Sequence, residues 1–421
     1  MKKNASNNET RQVASVGAQR TLRLASVIKR DLYGFIIQEG MKALDELLRQ
    51  DQELLCGPVH AKGTPGSAQR WGKATGRLSM SGRRVNIDKP RVRRNGREVT
   101  LPSWAELADD DPLNRRTMEQ LILGVSTRGY DRSVESLPEE LEPHGASKSS
   151  ASRRFVAMTQ ERLEKWQERD VSQLHIVALM LDGIEVDEHM VVVALGIDET
   201  GGKHALGLWL GATENAAVCG GLLDNLIERG LDPQLGYLFV IDGSKALRKA
   251  IRERFGHRAL VQRCQEHKRR NVLSHLPERL HPSIAKTMRD AYQSKSKATA
   301  KRRLLQLVAQ LATDHPDAVE SLKEGLDETL TLKDMNLPPP LERTLSTTNS
   351  IENVNSVIRR ILRRVKRWRD GSMIKRWVAA ALMEAERGFR RLRGFKGMPA
   401  LVAAVRSAEQ THRIDSDDAA A

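Results

Sequence analysis

Three carboxylates occupy positions in the 421-residue sequence where an acidic side chain is unexpected. Asp182 interrupts the apolar run ALMLDGIEV, and Asp242 ends the apolar run of YLFVIDGS. Glu352 is the only acid in the basic stretch LSTTNSIENVNSVIRRILRRVKRW. Converging carboxylates repel one another unless cations neutralise them, and oxygen ligands of this kind suit Mg²⁺. If the fold brings the three acids together, they predict metal-assisted attack on a phosphodiester.

The two aspartates each have an ordinary structural alternative. Asp182 precedes a glycine and could begin a tight turn, although a turn there would cut the strand before its apolar run ends. Asp242 also precedes a glycine and could form a plain strand-to-helix turn. The competing carboxylates Asp187, Asp198 and Glu199 fall in predicted turns. The catalytic interpretation therefore requires a fold that makes the strands of Asp182 and Asp242 neighbours.

Glu352 has a local explanation as well. Asn349 can serve as the N-cap of the helix that follows, and Glu352 stands three residues later, which is the spacing of a capping box. On this stretch alone the capping interpretation is sufficient. Only the rest of the chain can favour a catalytic role for Glu352.

Charge indicates the class of partner. The chain has a formal net charge of +15 and a pI of about 9.9. Residues 61–100 hold eleven Lys and Arg against two acids, and residues 359–376 hold nine against one, whereas residues 104–142 hold ten acids against four basic residues. Dense like charges either form a solvated face or bind a polyanion, and two separate basic blocks favour nucleic acid.

Composition excludes several other classes of protein. The sequence contains no apolar run long enough to cross a bilayer, so no membrane partner is expected. The basic N-terminus lacks the apolar segment of a secretory signal. Three widely spaced cysteines do not form a disulfide framework, which favours a cytoplasmic protein.

The N-terminal region is predicted to be mainly helical and to bind DNA. Its segments are a helical one (1–60), a basic arm or small strands (61–113) and three helices (114–170). The last two helices, DRSVESLPEELE and ASKSSASRRFVAMTQERLEKW, are separated by Pro143 and Gly145 and predict a helix-turn-helix. A plain three-helix bundle is the alternative. The candidate DNA contacts are Arg83, Arg84, Arg93, Arg94, Lys148, Arg153 and Arg154.

From residue 171 the pattern predicts an α/β core. Three apolar runs joined by short polar turns indicate an antiparallel meander, and strand–helix alternation follows. This is the order of a ribonuclease H-like fold, a mixed sheet flanked by helices. We assign its first part to 171–276, an all-helical insertion to 277–340, the final core helices to 341–400 and a tail to 401–421.

Four motifs in this order resemble bacterial insertion-sequence transposases related to the plant Mutator elements. They are LDG, VIDGSKALRKAI, QRCQEHKRRNVLSHLP and STTNSIENVNSVIRR, and the resemblance covers roughly residues 75–400. It implies a DDE transposase in which Asp182, Asp242 and Glu352 bind two Mg²⁺ ions, for which Mn²⁺ can substitute. The acids are separated by 60 and 110 residues, the second interval spanning the insertion.

The resemblance also implies partners. They are double-stranded DNA, as terminal inverted repeats and as target, and further copies of the chain in a homodimer or larger assembly on nucleoid-associated DNA. Backbone phosphates would be held by the basic residues after the third acid, namely Arg359, Arg360, Arg363, Arg364, Lys366 and Arg367. A nuclease that does not join strands and a non-catalytic DNA-binding derivative are the rivals.

Three features qualify this assignment. The family commonly has proline where Ser350 stands, and its relatives often carry a tryptophan in the insertion, where Tyr292 is here the only aromatic. Cys264 and His267 form a Cys-x-x-His pair, which in similar transposases lies near the active site. A zinc site would need two more ligands, and only two other histidines are near in sequence, so the alternatives are a near-site role or a buried Cys with a helix-capping His. The nearby histidines are His257 and His275.

Overall fold

The computed structural model describes residues 32–60, 67–80, 82–109, 112–134, 137, 143–144 and 146–418. They form two compact units, which meet in the sequence between Met158 and Thr159. Residues 1–31 and 61–66 of the predicted N-terminal segments, and 419–421 of the tail, lie outside the described residues. The division into seven segments stays a prediction.

The N-terminal unit combines helices with an antiparallel sheet. The helices are α1 (Leu32–Cys56), α2 (Pro102–Asp109), α3 (Pro112–Leu123) and the start of α4 (Lys148–Gln167). The strands are β1 (Gln69–Met80), β2 (Arg83–Arg94), β3 (Arg97–Val99) and β4 (Pro143–His144). β2 pairs with the other three strands. The basic segment is thus a sheet rather than an arm, because buried Val85, Ile87 and Val92 anchor it between the arginines.

The first helix of the predicted helix-turn-helix, DRSVESLPEELE, is wrong where the structure describes it. Asp131–Ser133 form a single 3₁₀ turn, and Val134 is already extended. Residues 135–136 and 138–142 lie outside the described part. The turn is held from within: Thr117 donates to the Tyr130 hydroxyl, which donates to the carbonyl of Gly82. These buried bonds fix the backbone around residue 130 and leave a turn there.

A five-stranded mixed sheet organises the second unit. Its strands are β5 (Ile176–Val186), β6 (His189–Asp198), β7 (Lys203–Gly211), β8 (Tyr237–Ile241) and β9 (Ala259–Arg263). Their order across the sheet is β7-β6-β5-β8-β9, with the first three antiparallel and the last pairs parallel. The predicted meander is confirmed, and β5 lies at the centre.

Helices flank this sheet. They are α5 (Ala216–Glu228), α6 (Lys245–Phe255), α12 (Asn349–Leu362) and α13 (Gly371–Arg387). Leu179 and Leu181 of β5 belong to the core that α5 and α6 complete with Leu222 and Ile251. Because side chains alternate along a strand, the neighbouring residues Met180 and Asp182 face the opposite side. There α12 packs on β5, and α13 packs on β7.

Between β9 and α12 the chain is helical, with a core of its own. The helices are α7 (Gln265–Ser274), α8 (His281–Tyr292), α9 (Lys297–Leu311), α10 (Pro316–Lys323) and α11 (Pro339–Leu345), with a 3₁₀ segment at Asp327–Met335. Met288, Leu304 and Leu322 are buried in their common core. The chain ends in α14 (Met398–Asp418). In the part of the chain that the structure describes, no helix is both long and apolar enough to span a membrane.

Candidate active site

Asp182 and Asp242 lie where two adjacent parallel strands bring them together. The pairing of β5 with β8 matches Leu181 with Ile241, and each of these residues directly precedes one of the aspartates. Asp182 remains paired within β5, so the turn alternative is wrong for it. The chain does turn after β8, where an Asp242 carboxylate oxygen accepts from the backbone N–H of Ser244 at 2.9 Å. A turn-forming role and proximity to Asp182 therefore coexist at Asp242.

The pKa of Asp182 indicates that too little positive charge lies near these two carboxylates to balance them. Burial, followed by the negative charge of Asp242, raises the pKa of Asp182 to about 6. A hydrogen bond from Asn355 and the charge of His267 lower it, but by less. A carboxyl group that resists ionisation beside a second acid is a favourable place for a cation. The residues present therefore fit a divalent ion.

Glu352 lies in the first turn of α12, but it is not part of a capping box. Thr348, and not Asn349, is the N-cap residue, and Thr348 makes no side-chain bond to the backbone of the helix. Its hydroxyl instead donates to Glu352 Oε1 at 2.8 Å. The capping interpretation is therefore wrong. Asn349 is already helical, and the carboxylate of Glu352 is bonded by a buried hydroxyl.

Cys264 and His267 join this arrangement. The Thr348 hydroxyl lies 3.4 Å from Cys264 Sγ and 3.3 Å from His267 Nδ1, and His267 Nδ1 lies 3.7 Å from Glu352 Oε1. The hydrogen bond with Cys264 raises the pKa of His267 despite partial burial. Burial would raise the pKa of the Cys264 thiol, but hydrogen bonds from His267 and Thr348 lower it below its usual value.

These three side chains form a possible metal-binding group. The ligand atoms of Cys264, His267 and Glu352 lie within 4.8 Å of one another. Asp182 and Asp242 are outside that group, in the described part of the chain, and interact with His267 electrostatically. Beside Cys264 and His267, the third candidate ligand is therefore Glu352, and neither His257 nor His275 belongs to the group.

Asn355 connects α12 to Asp182, and the sequence analysis did not identify it. Its side chain is fully buried, and its Nδ2 donates to Asp182 Oδ2 at 2.7 Å. Its Oδ1 is buried without a hydrogen-bond partner among the described residues. The only sequence signal was a polar residue on the apolar face of a helix, between Ile351 and Ile358. Because Asn355 follows Glu352 by three residues, both side chains lie on the same face of α12.

Arg263 was also missed. It ends β9, is 6% exposed, and donates to the carbonyl of Gly243 at 3.1 Å and to that of Glu324 at 2.9 Å. Gly243 has a φ of +119°, and a Cβ there would meet the guanidinium at 2.3 Å. Arg263 therefore links the turn after Asp242 to the helical segment 277–340.

The six basic residues after Glu352 are all exposed. Their side chains lie on the last turn of α12 and beyond it, because the helix ends at Leu362 and the chain continues without regular structure to Asp370. They are Arg359, Arg360, Arg363, Arg364, Lys366 and Arg367. None of these six side chains is packed in the protein core.

The candidate contacts of the N-terminal unit differ in their surroundings. Arg84, Arg94, Lys148 and Arg153 are exposed, whereas Arg154 is half-buried. Arg83 forms an ion pair with Asp131 at 3.4 Å, and Arg93 stacks 4.6 Å from the ring of Trp71. The sequence did not distinguish the exposed arginines from the occupied ones, since they alternate within β2.

Comparison with known proteins identifies the family of the chain. The sequence profile described as "Transposase, Mutator family" matches residues 12–391. A transposase for insertion sequence element IS905 of Lactococcus lactis is 27% identical over 342 residues, covering 79% of this chain and 84% of the relative.

Two further relatives match shorter stretches. The transposase for IS256 in transposon Tn4001 of Staphylococcus aureus is 27% identical over 285 residues, covering 63% of this chain and 68% of the relative. A probable insertion-sequence transposase of Corynebacterium diphtheriae is 29% identical over 212 residues, covering 48% of this chain and 60% of the relative. The profile match extends over most of the sequence and both units, and the chain therefore belongs to the Mutator family of transposases.

Proposed function

We propose that the chain is a DDE transposase that cuts DNA at the inverted-repeat ends of its own element and joins the ends to target DNA. The second unit would be its ribonuclease H-like catalytic core. The proposal is carried by one observation: Asp182 within β5 and Asp242 directly after β8 lie on adjacent parallel strands, and α12 packs on β5 with Asn355 bonded to Asp182. Family membership supports the same activity.

The fixed groups around the acids define what each would do. Asp182, Asp242 and Glu352 would hold Mg²⁺, or Mn²⁺ in its place. A bound divalent ion would supply activation of the attacking oxygen and neutralisation of the leaving one. Asn355 restrains one oxygen of Asp182, and Thr348 restrains one oxygen of Glu352. Restrained carboxylates lose less freedom on binding, which favours a defined ligand geometry.

The basic residues after α12 would hold the DNA. Exposed arginines and a lysine there can contact backbone phosphates on either side of the cut, through charge rather than base reading. No covalent protein–DNA intermediate is needed, because the freed 3′-hydroxyl is itself the nucleophile of the joining step. Acting on two ends in concert would require at least a dimer on DNA.

The test is a strand-transfer assay on duplexes that carry the inverted repeats flanking the gene. The wild-type chain with Mg²⁺ should nick the ends and produce strands joined to target DNA. Asp182→Asn should produce neither, whereas Asp187→Asn, a change in an exposed turn, should produce both. Nicks without joined product would identify a nuclease, and end binding without nicks would identify a non-catalytic DNA-binding protein.

A further inference from the structure

A cavity of about 700 Å³ adjoins the candidate active site. Gln265 and Glu266 line it from the start of α7, directly between Cys264 and His267. Ser346 lines it from the end of α11, and the backbone N–H of Gln265 donates to the Ser346 carbonyl at 3.0 Å. Most of the remaining wall belongs to the helical segment 277–340, and α7 and α11 add Arg269, Glu342 and Arg343. The cavity thus opens beside the residues that hold Glu352.

The charge of this cavity is unbalanced. Two of its basic side chains are neutralised within the wall, since Arg269 pairs with Glu266 and Lys333 with Glu342. Three others line the cavity and form no ion pair within 4.0 Å with another described residue. They are Arg289, Lys295 and Arg343. Three unpaired cations around one concave space attract an anion, because each would gain a charge-assisted hydrogen bond.

Size restricts which anion can enter. A volume of 700 Å³ is within the range of small-molecule sites. A DNA duplex does not fit, because even a sphere as wide as the major groove, about 12 Å, has a volume of roughly 900 Å³. One nucleotide, or a short single-stranded end, would fit.

The single aromatic residue in the cavity wall does not offer a stacking surface. Tyr292 is 8% exposed, and its hydroxyl is buried in the helical core. The available contacts are therefore cations and neutral hydrogen-bonding groups such as Gln293 and Asn336. Such a lining recognises phosphate and sugar and reads base identity poorly.

We infer that this cavity binds a phosphate-bearing nucleotide of the DNA strand that leads to the three acids. The inference rests on the proposed function, because it supplies the reason for a single strand to lie there. Holding the strand through Arg289, Lys295 and Arg343 fixes its path relative to Glu352. The helical segment 277–340 thereby contributes directly to substrate positioning.

The test is photocrosslinking and binding with the full-length chain and a 5′-phosphorylated thymidine trinucleotide that carries 4-thiothymidine. Crosslinks should map to the cavity segments 289–295 or 336–347. The double variant Arg289→Ala/Arg343→Ala should bind the trinucleotide at least tenfold more weakly and lower the salt dependence of log K by about one to one and a half. Arg302→Ala, an exposed arginine of α9 outside the cavity wall, is the matched control and should bind normally.

Three outcomes would overturn the inference. They are crosslinks confined to other segments, unchanged binding by a double variant that melts at the wild-type temperature, and full displacement of the trinucleotide by equimolar inorganic phosphate, which would assign the cavity to a free anion. If the double variant melts early, Lys295→Ala replaces it in the same comparison. Binding is measured without divalent metal, so it does not depend on cleavage, and failure of strand transfer would leave this result unaffected.

Discussion

At the scale of single residues, Asp182 is the most informative side chain, because its charge is unfavourable in the folded chain. Burial and Asp242 raise its pKa to about 6, above the ordinary value of 3.8. Without metal, the folded state therefore holds a proton that the unfolded state has released between these two pH values. The contribution to unfolding free energy falls as pH rises through this window and stays low above it.

We predict that Asp182→Asn stabilises the metal-free protein while abolishing strand cleavage. At pH 7 the change removes a penalty of roughly 2–3 kcal/mol, and near pH 4 it has little effect. The measurement is denaturant unfolding with chelator between pH 4 and 8, with Asp187→Asn as control. Equal destabilisation by Asp182→Asn at every pH would contradict the electrostatic explanation and indicate a structural aspartate.

A substitution of Glu352 can show whether its carboxylate is a metal ligand or a structural acid. Its Oε1 accepts from the Thr348 hydroxyl, and a glutamine can accept the same bond. We predict that Glu352→Gln keeps the melting temperature within a few degrees but lowers cleavage and joining by orders of magnitude, because an anionic ligand oxygen is lost. DNA binding should persist or strengthen beside the exposed basic residues. Near-normal strand transfer by this variant would return Glu352 to a structural role.

Thr348 is predicted to position Glu352. Its buried hydroxyl lies within 3.4 Å of Cys264, His267 and Glu352 atoms. Thr348→Val keeps the shape and removes the hydroxyl, so the single-turnover cleavage rate should fall about 10- to 100-fold and the Mg²⁺ requirement should rise. DNA affinity should not change.

Thr348→Ser is the conservative control, and it should restore most of the rate. A loss of folding without a change in metal requirement would show that the hydroxyl serves packing alone. Rescue by serine distinguishes the two, since serine retains the hydroxyl but loses the methyl group.

At the scale of secondary structure, apolar patterning predicted the sheet well and polar side chains poorly. The runs that became β5, β6, β8 and β9 are buried over most of their length, so their apolar sequences mark them. The buried polar partners have no such mark. These partners are Asn355, Arg263 and Thr348. They acquire their roles only when α12 and β9 pack beside elements that are distant along the chain. The same limit applies to the prediction of Asn349 as N-cap. That prediction used local spacing only, whereas Thr348 is the N-cap and also contacts Cys264 and His267, which are distant along the chain.

Arg263 exemplifies how these elements hold together. Its guanidinium joins the turn at Gly243 to the carbonyl of Glu324, and nearby Lys268, 1% exposed, donates to the same carbonyl at 2.7 Å. We predict that Arg263→Met, which keeps the aliphatic stem, destabilises the fold by about 2–4 kcal/mol, because buried acceptors lose their donors. Thermal unfolding measures this, with Arg258→Met as a control on the preceding 3₁₀ turn. A neutral result for Arg263→Met would mean that Lys268 alone satisfies the Glu324 carbonyl and that the Gly243 carbonyl does not need a protein donor.

At the scale of the whole molecule, the candidate DNA-binding residues are divided between two compact units. The boundary falls within α4, so a fragment that ends at Met158 would cut a helix that extends to Gln167. Residues 1–170 retain the whole helix together with the basic sheet. The unit has its own buried core around Leu48, Ile87 and Trp104, which supports independent folding.

We therefore predict that residues 1–170 bind the element ends without the second unit. Binding should weaken steeply with salt, because each phosphate contact releases counterions. Arg84→Ala and Arg94→Ala remove exposed charges and should each reduce the salt slope by about one. Arg91→Ala on the same strand is the control, since Arg91 is already paired with Glu98 at 2.7 Å and should contribute less.

The comparison of DNA sequences then tests recognition separately from charge. Phosphate contacts alone hold any duplex, so a fragment that binds element ends no better than random DNA would confine the basic sheet to nonspecific binding. Recognition would then have to come from other parts of the chain. A preference for the ends that survives in Arg84→Ala at lower affinity would instead separate the two contributions. The arginines would supply charge, and other side chains would read the bases. The candidates for base reading are those at the start of α4, where the Ser147 hydroxyl accepts from the backbone N–H of Ser150.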